Sequence, residues 1–248
     1  MTLVQVEQAG GVATLRLNRP ERGNALGLEL VAALEAAVTA ALAEGARCLV
    51  LRGAGKHFCT GFDLSDLEAL SDGDLLLRVV RIEQLLQRLH AAPVVTVAVG
   101  QGRSFGAGAD LFAVCDHRIA QAGASFAFPG PAFGLVLGTA RLAARIGAGR
   151  ARAVLLGGET LVDQAALEAG LATAVLTEVE LPEALTRIAA TASRLAPETV
   201  ALLHARTRAA DDDADLAALV RSAARPGLKQ RILDYRAAVA AQRQGGAG

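Results

Sequence analysis

Two passages that each run from strand through glycine turn toward helix, about forty residues apart, constrain this chain more than any other feature. Phe58-Cys59-Thr60-Gly61-Phe62-Asp63-Leu64 follows an apolar run at Cys48 to Arg52. Gly102-Arg103-Ser104-Phe105-Gly106-Ala107-Gly108-Ala109-Asp110-Leu111 follows another at Val94 to Val99. Short apolar runs bounded by turn residues read as buried strands. Two such turns can aim two backbone N–H groups at one point, the arrangement that stabilises negative charge on a carbonyl oxygen.

The pattern around them is α/β. Leu3 to Glu7 and Val12 to Leu17 alternate across Gly10-Gly11 and predict a hairpin. Leu28 to Leu42 carries Leu30, Leu34, Val38 and Leu42 at helical spacing, with Gly45 as a stop. Strand Cys48 to Arg52, helix Leu75 to Leu89, Pro93 and strand Val94 to Val99 then read as repeated β–α units. A short helix over Ala107 to Val114 and a strand over His117 to Ala120 continue the series. From Thr139 the pattern is mostly helical, with one strand near Ala172 to Leu176. Helices are expected at Pro182 to Leu195, Thr199 to Ala210, Leu216 to Ala224 and Leu228 to Ala241. Repeated β–α units followed by helices argue an α/β core with a helical C-terminal part. Residues 1–195 are expected to form the core and 196–248 a helical region, with a disordered tail at Gly245-Gly246.

Composition excludes several partners. Lys plus Arg and Asp plus Glu are both 25, so no global field favours nucleic acid or an anionic membrane. No apolar run reaches membrane-spanning length, and Met1 to Ala9 alternates as a first strand and lacks the form of a signal peptide. Cys48, Cys59 and Cys115 are odd in number, sit in apolar settings and show no metal-ligand spacing. The expectation is a cytoplasmic protein with buried free thiols and no bound metal.

Four ordered pieces carry a family resemblance: Leu17-Asn18-Arg19-Pro20-Glu21-Arg22-Gly23-Asn24-Ala25-Leu26, the two glycine passages, and Val114-Cys115-Asp116-His117-Arg118-Ile119-Ala120. With them the chain resembles the crotonase superfamily, the enoyl-CoA hydratase/isomerase family of lyases and isomerases that act on coenzyme A thioesters in reactions such as those of fatty acid metabolism. The resemblance runs from Leu17 through Ala172 and is weakest at the C-terminus. It implies a spiral of β–β–α turns, a homotrimer or dimer of trimers with the helical region 196–248 serving oligomer contacts and pocket closure, and no permanently bound cofactor, coenzyme A arriving as part of the substrate. It assigns the two oxyanion donors to the main-chain N–H groups of Thr60 and Ala107. It assigns coenzyme A contacts to Arg22, Asn24, Ala25 and Leu26 at the adenine and phosphate end. By the same resemblance, Gly61, Phe62, Asp63, Leu64 and Gly106 would flank the rest of the coenzyme A arm, and Gly130 and Phe133 would line the substrate pocket.

Negative charge gathers on the thioester oxygen as an enolate forms, and losing one preorganised donor costs about 3–4 kcal/mol in comparable sites. Asp110 lies three residues after Ala107, so on a helix it returns to nearly the same face. It falls where the family's hydratases carry the first of two catalytic carboxylates, usually Glu. Asp reaches about 1.5 Å less far, and proton transfer needs about 2.6–3.2 Å geometry. A helix-start Asp can also be a solvated cap.

The second carboxylate is missing. Phe126-Ala127-Phe128-Pro129-Gly130-Pro131-Ala132-Phe133-Gly134-Leu135 places Gly130 where the family's Glu stands, and 126–158 contains no Asp, Glu, His, Cys, Ser or Tyr. Hydration needs one group to take water's proton and another to protonate carbon. Three routes stay open: Asp110 shuttles a proton alone, a bound anion sits beside Gly130, or an acid comes from elsewhere. The readings are therefore an enolate-stabilising hydratase/isomerase, a related thioester hydrolase, decarboxylase or carbon–carbon lyase, or a catalytically silent CoA-thioester binding protein. Asp66, Glu68, Asp72, Asp74 and Glu83 read as a solvated helix face. His57 reads as surface, His117 as structural, His90 and His204 as helical residues with no partner motif in the sequence, Asp63 as a helix cap and Tyr235 as packing or an interface.

Overall fold

The computed structural model describes residues 2–207 and 211–245. In chain order the elements are β1 (Val4–Ala9), β2 (Val12–Leu17), α1 (Leu28–Ala43), β3 (Cys48–Gly53), α2 (Asp72–His90), β4 (Val95–Gly100), β5 (Arg103–Phe105), α3 (Ala107–Ala113), β6 (His117–Gln121) and β7 (Ser125–Ala127). They continue with α4 (Thr139–Ile146), α5 (Ala148–Gly157), β8 (Leu161–Val162), α6 (Asp163–Glu168), β9 (Ala174–Leu176), α7 (Leu181–Ala192), α8 (Pro197–Thr207), α9 (Asp212–Ala223) and α10 (Leu228–Gly245). The helix expected to Ala210 is described to Thr207, and 208–210 lie outside the described residues. Of the tail expected to be disordered, Gly245 instead closes α10, and Gly246 lies outside the described residues. No helix among the described residues is long and apolar enough to cross a membrane.

Six strands form one sheet in the order β1-β2-β3-β4-β6-β9, antiparallel only at the β1–β2 hairpin. The inner strands are apolar on both faces because helices cover both, as parallel sheets require. Alternation along β3 shows it: Leu49 and Leu51 enter the core beneath α1 and α2, while Cys48 and Val50 enter a second core closed by Leu181 and Ala192 of α7. Truncating a residue such as Leu51, fully buried, should cost about 2–5 kcal/mol.

A second sheet, β5-β7-β8, was not anticipated from periodicity. Ser104 pairs with Phe126, and Cys59 adds a bridge to Ser104. Each turn of the chain thus lays one strand in the large sheet, one segment in the small layer, and then a helix. That β–β–α repeat is the expected spiral. It stacks the two glycine passages side by side: Phe58 N–H donates to Gln101 O (2.8 Å), and Phe105 N–H donates to Cys59 O (3.0 Å).

Two glycines allow this approach. Gly61 has φ +94°, and a Cβ there would lie 2.5 Å from Phe105 O; one on Gly108 would lie 2.1 Å from Cys59 O. Neither distance admits a side chain. The C-terminal helices cover the other side of the site. α9 packs on α2, and α10 crosses the 3-10 turn Gly130–Phe133. Asp72, at the start of α2, accepts hydrogen bonds from the N–H groups of Gly227, Leu228 and Lys229 and so caps α10 from outside.

Candidate active site

The stacked passages leave two main-chain donors open. The N–H of Thr60 donates to Gly23 O at 2.9 Å, which corrects the expectation that it serves the oxyanion. The open donor is two residues on. Leu26 N–H donates to Gly61 O (2.7 Å) and Asp63 N–H donates to Leu26 O (3.2 Å). In a parallel pairing the groups of the intervening residue point the other way. The Phe62 N–H is thereby turned from Leu26 toward the side where α3 begins, and a Cβ on Gly61 would lie 3.4 Å from Ala107 N. Neither the Phe62 nor the Ala107 N–H has a hydrogen-bond partner among the described residues, and both residues line one cavity. Local spacing does not separate Phe62 from Thr60, because the bond that closes the Thr60 N–H comes from Gly23.

Asp110 lines the same cavity, one turn into α3, and is 4% exposed. Its carboxyl makes no hydrogen bond within the described residues. Burial pushes it up to about 8, Arg141 opposing and Glu83 reinforcing that rise. It is therefore no solvated cap. The first residue before α4 makes room for it: Gly138 has φ +63°, and a Cβ there would stand 2.0 Å from Asp110 Oδ1.

The cavity holds about 220 Å³ and its walls are mainly apolar, with Phe62, Val79, Ile82, Leu137 and Phe128 prominent. Thr60, Asp110 and Tyr235 are its polar side chains. Gly130 and Phe133 are in the wall as expected, and Gly130 presents no side chain to the cavity. Tyr235, read from sequence as packing, reaches the wall from α10, its ring 5.3 Å from that of Phe133. The apolar i, i+3 pair Val79 and Ile82 on α2 was the one sequence signal for this wall.

The residues assigned to coenzyme A divide. Arg22 is exposed, with no hydrogen bond from its side chain among the described residues. Asn24 is fully buried at φ 55°, and its side chain donates to Ala54 O (2.9 Å) and His57 O (2.8 Å) while accepting from Arg19 N–H (2.9 Å). It ties two loops together and leaves no side-chain donor for a ligand, a correction to its expected role. Ala25 and Leu26 are buried, and both main-chain groups of Leu26 are paired. Asp63 is not a helix cap: one oxygen pairs with Arg19 (2.9 Å) and the other accepts from Ser65 N–H (3.0 Å). Leu64 is half-buried in the cavity wall, and Gly106 lines it too at φ +53°, its N–H donating to Ala127 O (2.7 Å).

The acids after the first passage are not one solvated face. Glu83 is 1% exposed and paired with Arg141, Asp66 pairs with Arg78, and Asp74 forms a capping box with Ser71. His204 does have a partner: its Nε2 lies 3.3 Å from Asp116, which holds it above the usual imidazole range. His57 is half-buried and accepts from Arg103 N–H (3.1 Å). The three thiols are free and buried, and burial pushes each up to about 12, so none is a nucleophile.

Known proteins resemble this chain in sequence and in fold. A sequence profile described as Enoyl-CoA hydratase/isomerase matches residues 7–225. A probable enoyl-CoA hydratase, echA6, of Mycobacterium bovis is 38% identical over 216 residues, covering 86% of this chain and 84% of that one. An ethylmalonyl-CoA decarboxylase of Xenopus laevis is 33% identical over 175 residues, covering 68% of this chain and 58% of that one. A crystal structure from Bordetella parapertussis, assigned to enoyl-CoA hydratase/isomerase, superposes with a TM-score of 0.93 at 45% identity, covering 96% of this chain and 99% of that one.

Proposed function

Because the chain belongs to the enoyl-CoA hydratase/isomerase family, we propose that it binds an enoyl-CoA thioester with the carbonyl oxygen held by the N–H groups of Phe62 and Ala107. One observation carries the reading: two main-chain donors and a buried carboxyl, all without a hydrogen-bond partner among the described residues, line one apolar cavity. Donors fixed in a water-poor site stabilise developing enolate charge at no reorganisation cost.

The reaction this supports is migration of a double bond. The Asp110 carboxylate takes a proton from the carbon next to the thioester carbonyl, and the C–H electron pair passes into a dienolate whose charge rests on the oxygen. The carboxyl then returns the same proton to the γ carbon. One group serves both halves, so no second acid is required, whereas hydration requires two. Since the first step uses the ionised form, turnover should rise with pH and level off above about 8.

The decarboxylase-like alternative fits the walls less well, for no Lys, Arg or His lines the cavity to receive a substrate carboxylate. Coenzyme A is written here as part of the substrate and not as a resident cofactor. The test is to supply 3-enoyl-CoA and crotonyl-CoA and follow products by mass and by the ultraviolet band of the conjugated thioester. Conversion of the first without hydration of the second supports isomerisation. Tight binding with no product from either ester would leave only a thioester-binding role.

A further inference from the structure

Behind Asp110 lies a charged cluster that does not touch the cavity. Arg141 on α4 is 2% exposed and Glu83 on α2 is 1% exposed. They pair through Nη1–Oε1 at 2.9 Å and Nη2–Oε2 at 2.5 Å. Asp215 on α9 places Oδ2 3.3 Å from the same Nη1. One guanidinium thus faces two carboxylates, while its Nε is buried with no partner among the described residues. Such clusters are weak stability devices, because desolvating three charges costs about as much as their attraction returns. A reason beyond stability is needed.

Position supplies it. Arg141 follows by one helical turn Gly138, the residue against which the Asp110 carboxyl rests. Of the elements packed on α3, α2 presents Glu83 and α4 presents Arg141. Arg145, also on α4, donates to the carbonyls of Ala113, Val114 and Cys115. Arg103 on β5 lies over the Phe105 ring, and β4 has no charged residue. Arg141 is therefore the cation able to act on Asp110. A free guanidinium beside an aspartate lowers its titration by about 1–3 pH units and turns a proton carrier into a fixed anion.

We propose that Glu83 and Asp215 are positioning residues which engage Arg141 and so limit its pull on Asp110, keeping that carboxyl able to carry a proton. The inference rests on the role given to Asp110 above. It also makes the docking of α9, which brings Asp215, part of the acid's setting.

The test reads Asp110 without turnover. Aspartate carboxyls are labelled with carbon-13, and the Asp110 resonance is identified by its loss in Asp110→Asn. Wild type, Glu83→Gln and Asp215→Asn are then titrated without ligand. The midpoint should fall by about 1–3 pH units in Glu83→Gln and by less in Asp215→Asn, and the pH–rate profile should move with it. An unchanged midpoint in both variants overturns the proposal. If Glu83→Gln does not fold, Asp215→Asn decides alone, since that carboxylate is at the rim, 15% exposed. A shifted midpoint in a protein that turns over no CoA ester leaves the network standing and removes the isomerase reading instead.

Discussion

The two walls of the cavity differ in chemistry. On one side the stacked glycine passages and α3 supply Phe62, Ala107 and Asp110: two open donors and a buried acid. On the other, the turn from Pro129 to Leu135 supplies proline, glycine and phenylalanine, with no ionisable side chain from 126 to 138. Carbonyl activation needs only the first wall, whereas adding water across a double bond needs a proton carrier on each. The asymmetry separates stabilising an enolate from hydrating one, and it is the ground for proposing the first for this chain.

The largest effect expected is on the acid-bearing wall. Asp110→Asn should lower isomerisation by about 10²–10⁴-fold, the usual worth of a positioned acid/base. The same variant should be more heat-stable than wild type. The native carboxyl titrates near 8 and the unfolded one near 3.8, so between those values the native state holds the extra proton and wild-type stability falls as pH rises. About four pH units at about 1.4 kcal/mol each set an upper bound on the order of 5 kcal/mol. Melting curves of the two proteins should coincide near pH 4 and separate progressively up to pH 8. Curves that stay parallel would mean that Asp110 is ionised in the folded protein.

Next come the donors. Ala107 is the first residue of α3, where proline is tolerated because its missing N–H has no helical partner. Ala107→Pro deletes one oxyanion donor and should lower kcat by about 10²–10³-fold while Asp110 keeps its titration. A loss below threefold would exclude Ala107 from the oxyanion. The bare wall can be tested in the opposite sense. Gly130→Glu restores an acid, and a Cβ there meets Leu135 O at 3.3 Å, tight enough to require a small local adjustment. Hydration of crotonyl-CoA should rise about tenfold or more over wild type. If hydration stays flat while the variant folds, the missing carboxylate is not what limits it.

These walls were unequally legible in the sequence. β3, β4 and α1 announce themselves because short, turn-bounded apolar runs and a 3.6-residue period survive in one dimension. β5, β7 and β8 are three, three and two residues long and acquire meaning only through pairing with distant strands. Asp110, Ala107 and the empty position at Gly130 were readable from motif order. Phe62 was not distinguished from Thr60, because which amide is open depends on the bond to Gly23, thirty-seven residues earlier. Glu83 looked like one more acid on a polar helix; its burial comes from α4 and α9, which the local pattern does not contain.

The smallest effect sharpens the contrast between the exposed and the buried parts of the loop preceding α1. Arg22 is exposed, with no side-chain hydrogen bond among the described residues, whereas Asn24 is buried and held by three hydrogen bonds. Asn24→Ala should act on folding, costing about 1–3 kcal/mol for the buried groups left unpaired, with acyl-CoA affinity unchanged in the protein that remains folded. Arg22→Ala should leave the melting temperature alone and weaken acyl-CoA binding by no more than about fivefold, the scale of an exposed ion pair. That loss should shrink as salt is added, because charges exposed to solvent are screened within about 10 Å at 0.1 M. Calorimetric titration of a saturated acyl-CoA at two ionic strengths decides it. A salt-independent loss would mean that Arg22 shapes the loop and does not meet the phosphates.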